Sequence, residues 1–335
     1  MIPRVPGEGP LDLSRPLQEL RIQIEARQDG QRLDKALAEH LTWRSRTSIH
    51  RLIDDGFVSL EGRAARAAGK VRGGEIVIVR IPAAPEPSAR VAPDDDAVSV
   101  VHEDRWMIAV DKPPGLAVHP AGRRVYGTLI HWLHVRYRRP ETPANDVVPR
   151  LLHRLDRETS GIVAASLDAD FHHVVARQFE DRLVSKTYLA VVHGRPPQSD
   201  GLIDLGIGPA RGSVVRLKLE ARADGSGLPA LTRYRVVRSN ERYSLVEMEP
   251  KTGRTHQLRV HMAALGCPLV GDKIYLDETI FLEELAGALS DATRARLVLD
   301  RHALHAHRLR FHHPRLGRDL VLEAPLPADM AALVP

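Results

Sequence analysis

Gly161 is followed by Ile162-Val163-Ala164-Ala165, a short unbroken apolar run, and preceded by the charged segment Arg154-Leu155-Asp156-Arg157-Glu158. A run of this length after a glycine reads as a buried strand. The charged segment is then a loop feeding a sheet, where rigid support meets open access. In that loop Asp156 lies between Arg154 and Arg157. Nearby positive charge favours the ionised carboxyl, which suits a nucleophile working at neutral pH. Taken alone, the cluster reads instead as a salt-bridged surface loop, since ion-pair networks also perturb pKa values.

The 335 residues are 43% apolar, enough for more than one domain with a proper core. The net charge is +5, and the segment Arg21 to Arg80 holds most of it, with twelve Lys/Arg against eight Asp/Glu. A basic N-terminal module with a polyanionic partner is implied. The lone Cys267 excludes an intramolecular disulfide, and its neighbours Gly266 and Pro268 indicate a turn rather than a poised thiol. No apolar run has the length of a membrane span and the start lacks a signal-peptide core, so we expect a cytoplasmic protein with no membrane partner.

Residues 1–18, with prolines, glycines and mixed charge, read as a flexible tail. In Arg32 to Leu41 the spacing puts Leu33, Ala36, Leu37 and Leu41 on one helical face. Ser45 or Thr47 can cap a second helix with Ile49, Leu52 and Ile53 inward, Arg46 and Arg51 outward, and Gly56 at its end. Short strands at Phe57–Leu60 and Glu75–Val79, with a turn at Glu61-Gly62, close a small α+β unit over residues 19–82. Its Arg44, Arg46 and Arg51 gather where they can follow a phosphate backbone. The Pro- and Ala-rich residues 83–96 read as a linker, and 97–330 as a second domain opening with strands at Val98–Val101 and Met107–Val110 before the turn Lys112-Pro113-Pro114-Gly115. Arg139 to Val148 reads as a surface excursion.

Asp168 can cap a helix whose Phe171, Val174, Val175 and Phe179 share a face. In the strand that follows, Lys186, Tyr188 and Ala190 point the same way. In Pro250 to His261, Gly253 should make a turn, Thr255 can cap, and Leu258, Met262 and Leu265 form an apolar helical face stopping at Gly266, with Arg259 beside it. Seventeen histidines invite a metal reading, which we discount because cysteines and convergent acids are lacking. No glycine-rich cradle for a phosphate or dinucleotide is present.

His153-Arg154-Leu155-Asp156-Arg157-Glu158-Thr159-Ser160-Gly161 resembles the signature of the RluA-type pseudouridine synthases. Lys186 to Gly194, Pro250 to His261 and Arg301 to Ala306 resemble further stretches of the same domain. Residues 20–82 resemble the RNA-binding "S-four" fold of a small-subunit ribosomal protein. The pattern departs at Glu61, where the family usually has Asn, and at Leu276, where it commonly has Gly. The resemblance implies an α+β protein: a mixed, mostly antiparallel sheet flanked by helices, with the small N-terminal α+β RNA-binding domain before it. It also implies isomerisation of uridine to pseudouridine in structured RNA, most of all large-subunit ribosomal RNA, with no cofactor, metal or ATP. Asp156 would be the catalytic acid, Arg259 its partner, and Tyr188 the ring that stacks on the base and a candidate proton shuttle. Arg154 would fill the space of the flipped nucleotide, and Lys186 and Arg254 would join Arg44, Arg46 and Arg51 in holding RNA. A monomer is expected. Two rivals are a non-catalytic RNA-binding or ribosome-assembly factor, and a glycoside hydrolase using Asp156 and Glu158, which needs carboxyls roughly 5 to 9.5 Å apart.

Overall fold

The computed structural model describes residues 19–41, 46–54, 56–60, 63–80, 97–120, 127–139, 142 and 146–335, without the side chains of 47, 48, 51, 63 and 64. The expected tail, the linker 83–96, the Glu61-Gly62 turn and Arg44 lie outside the described residues, as does the side chain of Arg51. The chain divides into two compact units, 1–97 with 117–150 and 98–116 with 151–335.

In the first unit β1 (Glu19–Gln23), β2 (Val58–Leu60), β3 (Arg63–Ala64) and β4 (Ile76–Arg80) form an antiparallel sheet in the order β1-β4-β2-β3. The helices α1 (Leu33–His40) and α2 (Arg46–Asp54) contribute Leu33, Leu37, Ile49, Leu52 and Ile53 to its core, on the faces that their spacing predicts. Arg46 points outward as expected, yet its guanidinium already holds the buried Asp34 at 2.9 Å. A further helix, α3 (Leu129–Tyr137), is capped by Thr128, whose hydroxyl accepts from the His131 N–H.

The strands of the second sheet are β5 (Ser99–Glu103), β6 (Met107–Lys112), the two-residue β7 (Arg150–Leu151), β8 (Ser160–Ser166), β9 (Ser185–His193), β10 (Asp200–Asp204), β13 (Leu231–Ser239), β14 (Tyr243–Pro250), β15 (Leu304–His313) and β16 (Arg318–Glu323). The sheet is mixed, in the order β10-β13-β14-β9-β15-β8-β6-β5. A separate hairpin pairs β11 (Gly206–Pro209) with β12 (Leu219–Arg222). Among the described residues, β8 and β15 run parallel and the other neighbours in that order run antiparallel. Every residue of β8 is buried, so the apolar run after Gly161 is the buried strand it was expected to be.

Helix α4 (Ala169–Glu180) covers one part of the sheet, its N-terminus capped by Asp168, which accepts from the Phe171 N–H at 2.7 Å. Phe171 and Val175 are buried against Ile162, Phe311 and Leu322, whereas Val174, expected on the same face, is half exposed. The reason is the 3.6-residue period, which carries position 174 round the helix away from the sheet. Helix α5 (Gln257–Ala264) buries Leu258 and Met262 against Ala190, Val246 and Met248. Removing a side chain of this kind from water stabilises the fold by about 1.5–3 kcal/mol. Cys267 lies inside the same cluster, where burial raises its thiol pKa, in keeping with a structural rather than reactive role. Among the described residues no helix is long and apolar enough to cross a membrane.

Candidate active site

The segment before β8 is an ordered loop because its backbone is clamped from below. Lys112, the last residue of β6, is fully buried, and its ammonium donates to the carbonyls of Pro113, Leu116 and Arg157 at 2.8, 2.9 and 3.1 Å. The Gly115 N–H donates to the Arg157 carbonyl, and Arg157 Nε donates back to the Gly115 carbonyl. Burial, with Arg301 nearby, lowers the Lys112 pKa to about 7, while three carbonyl acceptors favour its charged form. Asp156 is thereby presented above the sheet, half-buried.

Arg259, near the start of α5, reaches this loop, and its Nη1 donates to Asp156 Oδ2 at 3.3 Å. Its other donors are committed to Asp272, with Nε to Oδ2 at 2.7 Å and Nη2 to Oδ1 at 2.9 Å. Asp272 is fully buried and also accepts from the backbone N–H groups of Ile274 and Tyr275. The Tyr275 ring lies 5.0 Å from the Arg259 guanidinium carbon, and its hydroxyl bonds His256 Nδ1 at 2.8 Å. The opposite nitrogen of His256, Nε2, comes within 4.0 Å of Asp156 Oδ2.

Burial disfavours the Asp156 carboxylate, but His256, Arg259 and His302 outweigh it and hold the pKa below the usual carboxylate range. The two histidines help only when protonated. Burial lowers both of their pKa values, that of His302 to about 3, so at neutral pH Arg259 is the lasting charge. Asp272 is pulled down to about 2 against its burial by the same guanidinium.

Tyr188 is placed by register. One row of paired residues runs Lys112, Gly161, Ala306, Tyr188, Met248 across β6, β8, β15, β9 and β14. Residues in such a row face the same side of a sheet. Gly161 contributes no side chain to the row, and its φ of +107° brings it against the Ala306 backbone. Tyr188 is close enough to Asp156 to feel its charge, and burial followed by that charge pushes the phenol pKa up. The phenol is therefore neutral and a weak base.

Of the residues singled out from sequence, Asp156, Arg259 and Tyr188 are brought together. Arg154 is exposed on the Asp156 loop. Lys186 lies two residues before Tyr188 on β9, and Arg254 lies two before His256. Glu158 is committed elsewhere: it accepts from Lys273 Nζ at 2.7 Å and from the His302 N–H at 3.2 Å. That removes it as the second acid of a glycosidase. Thr255 does not cap α5 and Gly253 does not make the turn. The turn falls at Thr255–His256, with His256 at the N-cap in the left-handed region, φ 55°. Instead Gln257 Oε1 accepts from the Arg254 N–H and the Thr252 hydroxyl. Sequence reading passed over His256 and Lys112, although both lie in stretches it had noticed, and Asp272 and Tyr275, which come just before Leu276. No spacing rule announces that Asp272, thirteen residues beyond Arg259, will meet it.

The family described as RNA pseudouridylate synthase matches residues 106–264. An RNA pseudouridine synthase from Chloroflexus aurantiacus is 38% identical over 325 residues, covering 97% of this chain and 95% of that protein. The chain belongs to the RNA pseudouridine synthase family. A ribosomal large subunit pseudouridine synthase D from Nitrosomonas europaea is 38% identical over 91% of this chain and 84% of its own length. The solved structure of human RNA pseudouridylate synthase domain containing 4 aligns with a TM-score of 0.54 at 28% identity, over 70% of this chain and 90% of that one. This synthase is thus an isomerase acting on structured RNA, which overturns the reading as a non-catalytic binding factor.

Proposed function

We propose that this synthase isomerises uridine in large-subunit ribosomal RNA, with Asp156 as the nucleophile on an extruded nucleotide. The observation that carries the reading is the contact of Asp156 with Arg259 beside Tyr188, in a carboxyl held ionised at neutral pH. The bond from ribose to N1 of uracil breaks, the base turns, and it rejoins through C5, whose proton must then leave. A uracil can reach Asp156 only outside the helix stack, at a cost of a few kcal/mol that is smallest in loops. Tyr188, neutral and half-buried, is suited to stack on that base and to relay a proton rather than to abstract one. Exposed Arg154 takes the place the nucleotide leaves. Support for a ribosomal target comes from relatives named for the large subunit. In our reading residues 19–82 are an S-four-like RNA-binding domain and 97–330 the catalytic domain, with Arg44, Arg46 and Arg51 on RNA phosphates and the protein a cytoplasmic monomer.

The test is Asp156→Asn. It should abolish pseudouridine formation, scored by carbodiimide-blocked primer extension, while RNA affinity stays within a few fold. Retained turnover would reject the assignment.

A further inference from the structure

Beside the site, between the end of α4 and the end of β14, lies a cleft of about 470 Å³. Arg182, Lys186, Lys251 and Arg254 line it, against two carboxylates, Glu180 and Glu249, with Phe179 at its wall. Glu249 is taken up by Lys251, which donates to it at 2.9 Å. Arg182, Lys186 and Arg254 then outnumber the one remaining carboxylate, Glu180, three to one.

Lys186 is the cation that the fold has prepared. Its ammonium lies 5.2 Å from the centre of the Phe179 ring, and that ring stacks on His153 at 5.2 Å and 19°. His153 is fixed in turn, because its Nε2 accepts from the Ala164 N–H at 3.1 Å on β8. This ladder joins the cleft to the loop of Asp156, three residues beyond His153. Among the described residues no carboxylate offsets the Lys186 ammonium, and burial alone pulls its pKa down. A half-buried cation kept without an anion costs stability unless an anion arrives.

Arg182 shows the same pattern in its backbone. The Arg182 and Leu183 N–H groups donate to the carbonyls of Phe179 and Gln178, the double bond of a helix stop that ordinarily has glycine at the position of Arg182. Arg182 sits there at φ 61°, a strained conformation for a residue with a Cβ. Backbone strain of this kind clusters at functional sites, and at this cleft it directs attention to the Arg182 side chain.

We propose that this cleft is a phosphodiester subsite, in which Arg182, Lys186 and Arg254 hold the backbone phosphate next to the isomerised uridine. The inference rests on the reading of Asp156 and Tyr188 given above. Lys186 and Tyr188 are two residues apart on one face of β9, about 7 Å along the strand. A base on Tyr188 therefore leaves its neighbouring phosphate within reach of Lys186. Arg254 spends Nε on the Pro229 carbonyl, which leaves its terminal nitrogens for the same anion.

The experiment uses the full chain and transcribed large-subunit ribosomal RNA, with the variants R182G and K186M. Turnover is followed as KM and kcat, and affinity as Kd across a potassium chloride series. Each variant should raise KM three- to tenfold, more than it lowers kcat, and should flatten log Kd against log salt by about 0.7 for each phosphate that it no longer neutralises. R182G should do this with a melting temperature no lower than that of the parent, because glycine relieves the backbone; a merely structural role predicts no such split. If D156N abolishes turnover while both variants keep the parental KM and salt slope, the catalytic reading stands and the subsite is refuted. If the parent makes no pseudouridine in this RNA, the reading of the target falls, and the salt slopes alone still decide the subsite. Unchanged RNA slopes with weakened binding of polyglutamate would assign the cleft to an acidic peptide and overturn the proposal.

Discussion

Replacing Asp272 by asparagine removes one charge and almost no volume, yet it should be among the most damaging changes in the second unit. Asp272 Oδ1 accepts three N–H donors, from Arg259, Ile274 and Tyr275, and Oδ2 accepts a fourth from Arg259 Nε at 2.7 Å. An asparagine has one acceptor oxygen. With that oxygen at the Oδ1 position its NH₂ group faces Arg259 Nε, donor against donor; turned round, it abandons two backbone N–H groups. Either way a buried guanidinium is deprived of its bidentate partner. Breaking a buried pair from one side costs about 3–5 kcal/mol, and we expect the lower end, since Asp156 still faces Arg259. For a unit the size of Val98–Leu116 with Leu151–Pro335 this is a fall in Tm of roughly 6–12 °C. Turnover should fall too, because Arg259 is no longer held with Nη1 aimed at Asp156. Urea unfolding of the parent, D272N, R259M and the double variant measures the coupling directly. In the R259M background the asparagine faces no cation, so D272N should cost at least about 2 kcal/mol less there. Equal destabilisation in both backgrounds, or less than about 1 kcal/mol in the parent, would refute the reasoning.

Gly161→Ala should cost about 2–5 kcal/mol, from a disfavoured positive φ and a methyl forced to within 2.4 Å of the Ala306 carbonyl oxygen, where β8 and β15 pair. Calorimetry checks it, and parental stability would show that the backbone shifts freely there. Acid should act in two stages. Both His302, with its pKa near 3, and Asp272, near 2, are depressed on folding. Their stabilisation is complete above the unfolded values of about 6.5 and 3.9, and is lost as pH falls toward the folded ones. Urea midpoints should therefore decline from about pH 6.5 downward and again below about 4, with H302N removing part of the first decline and His153 and His305, buried and likewise depressed, accounting for more of it; a flat profile between pH 7 and 4 would contradict a neutral, buried His302.

Local signals carried far in this chain because they act over a turn or a strand. The apolar run after Gly161 specified a buried strand, Asp168 a helix cap, Gly266 a helix stop, and the 3.6-residue spacing the inward faces of α1, α2 and α5. Asp156 was legible as a loop acid flanked by guanidinium groups, and likeness in sequence picked out Arg259 and Tyr188. Tertiary structure alone decided how these three meet. Register across β8, β15 and β9 sets Tyr188 in the row of Gly161, and the turn after α5 brings Asp272 to claim two of the three donor groups of Arg259, leaving one for Asp156. The same packing commits Glu158 to Lys273, seats Lys112 under the loop, and leaves Lys186 without an anion among the described residues. Periodicity and turn chemistry are properties of neighbours along the chain, whereas the field at one carboxyl is a sum over charges that only folding brings within a few ångströms.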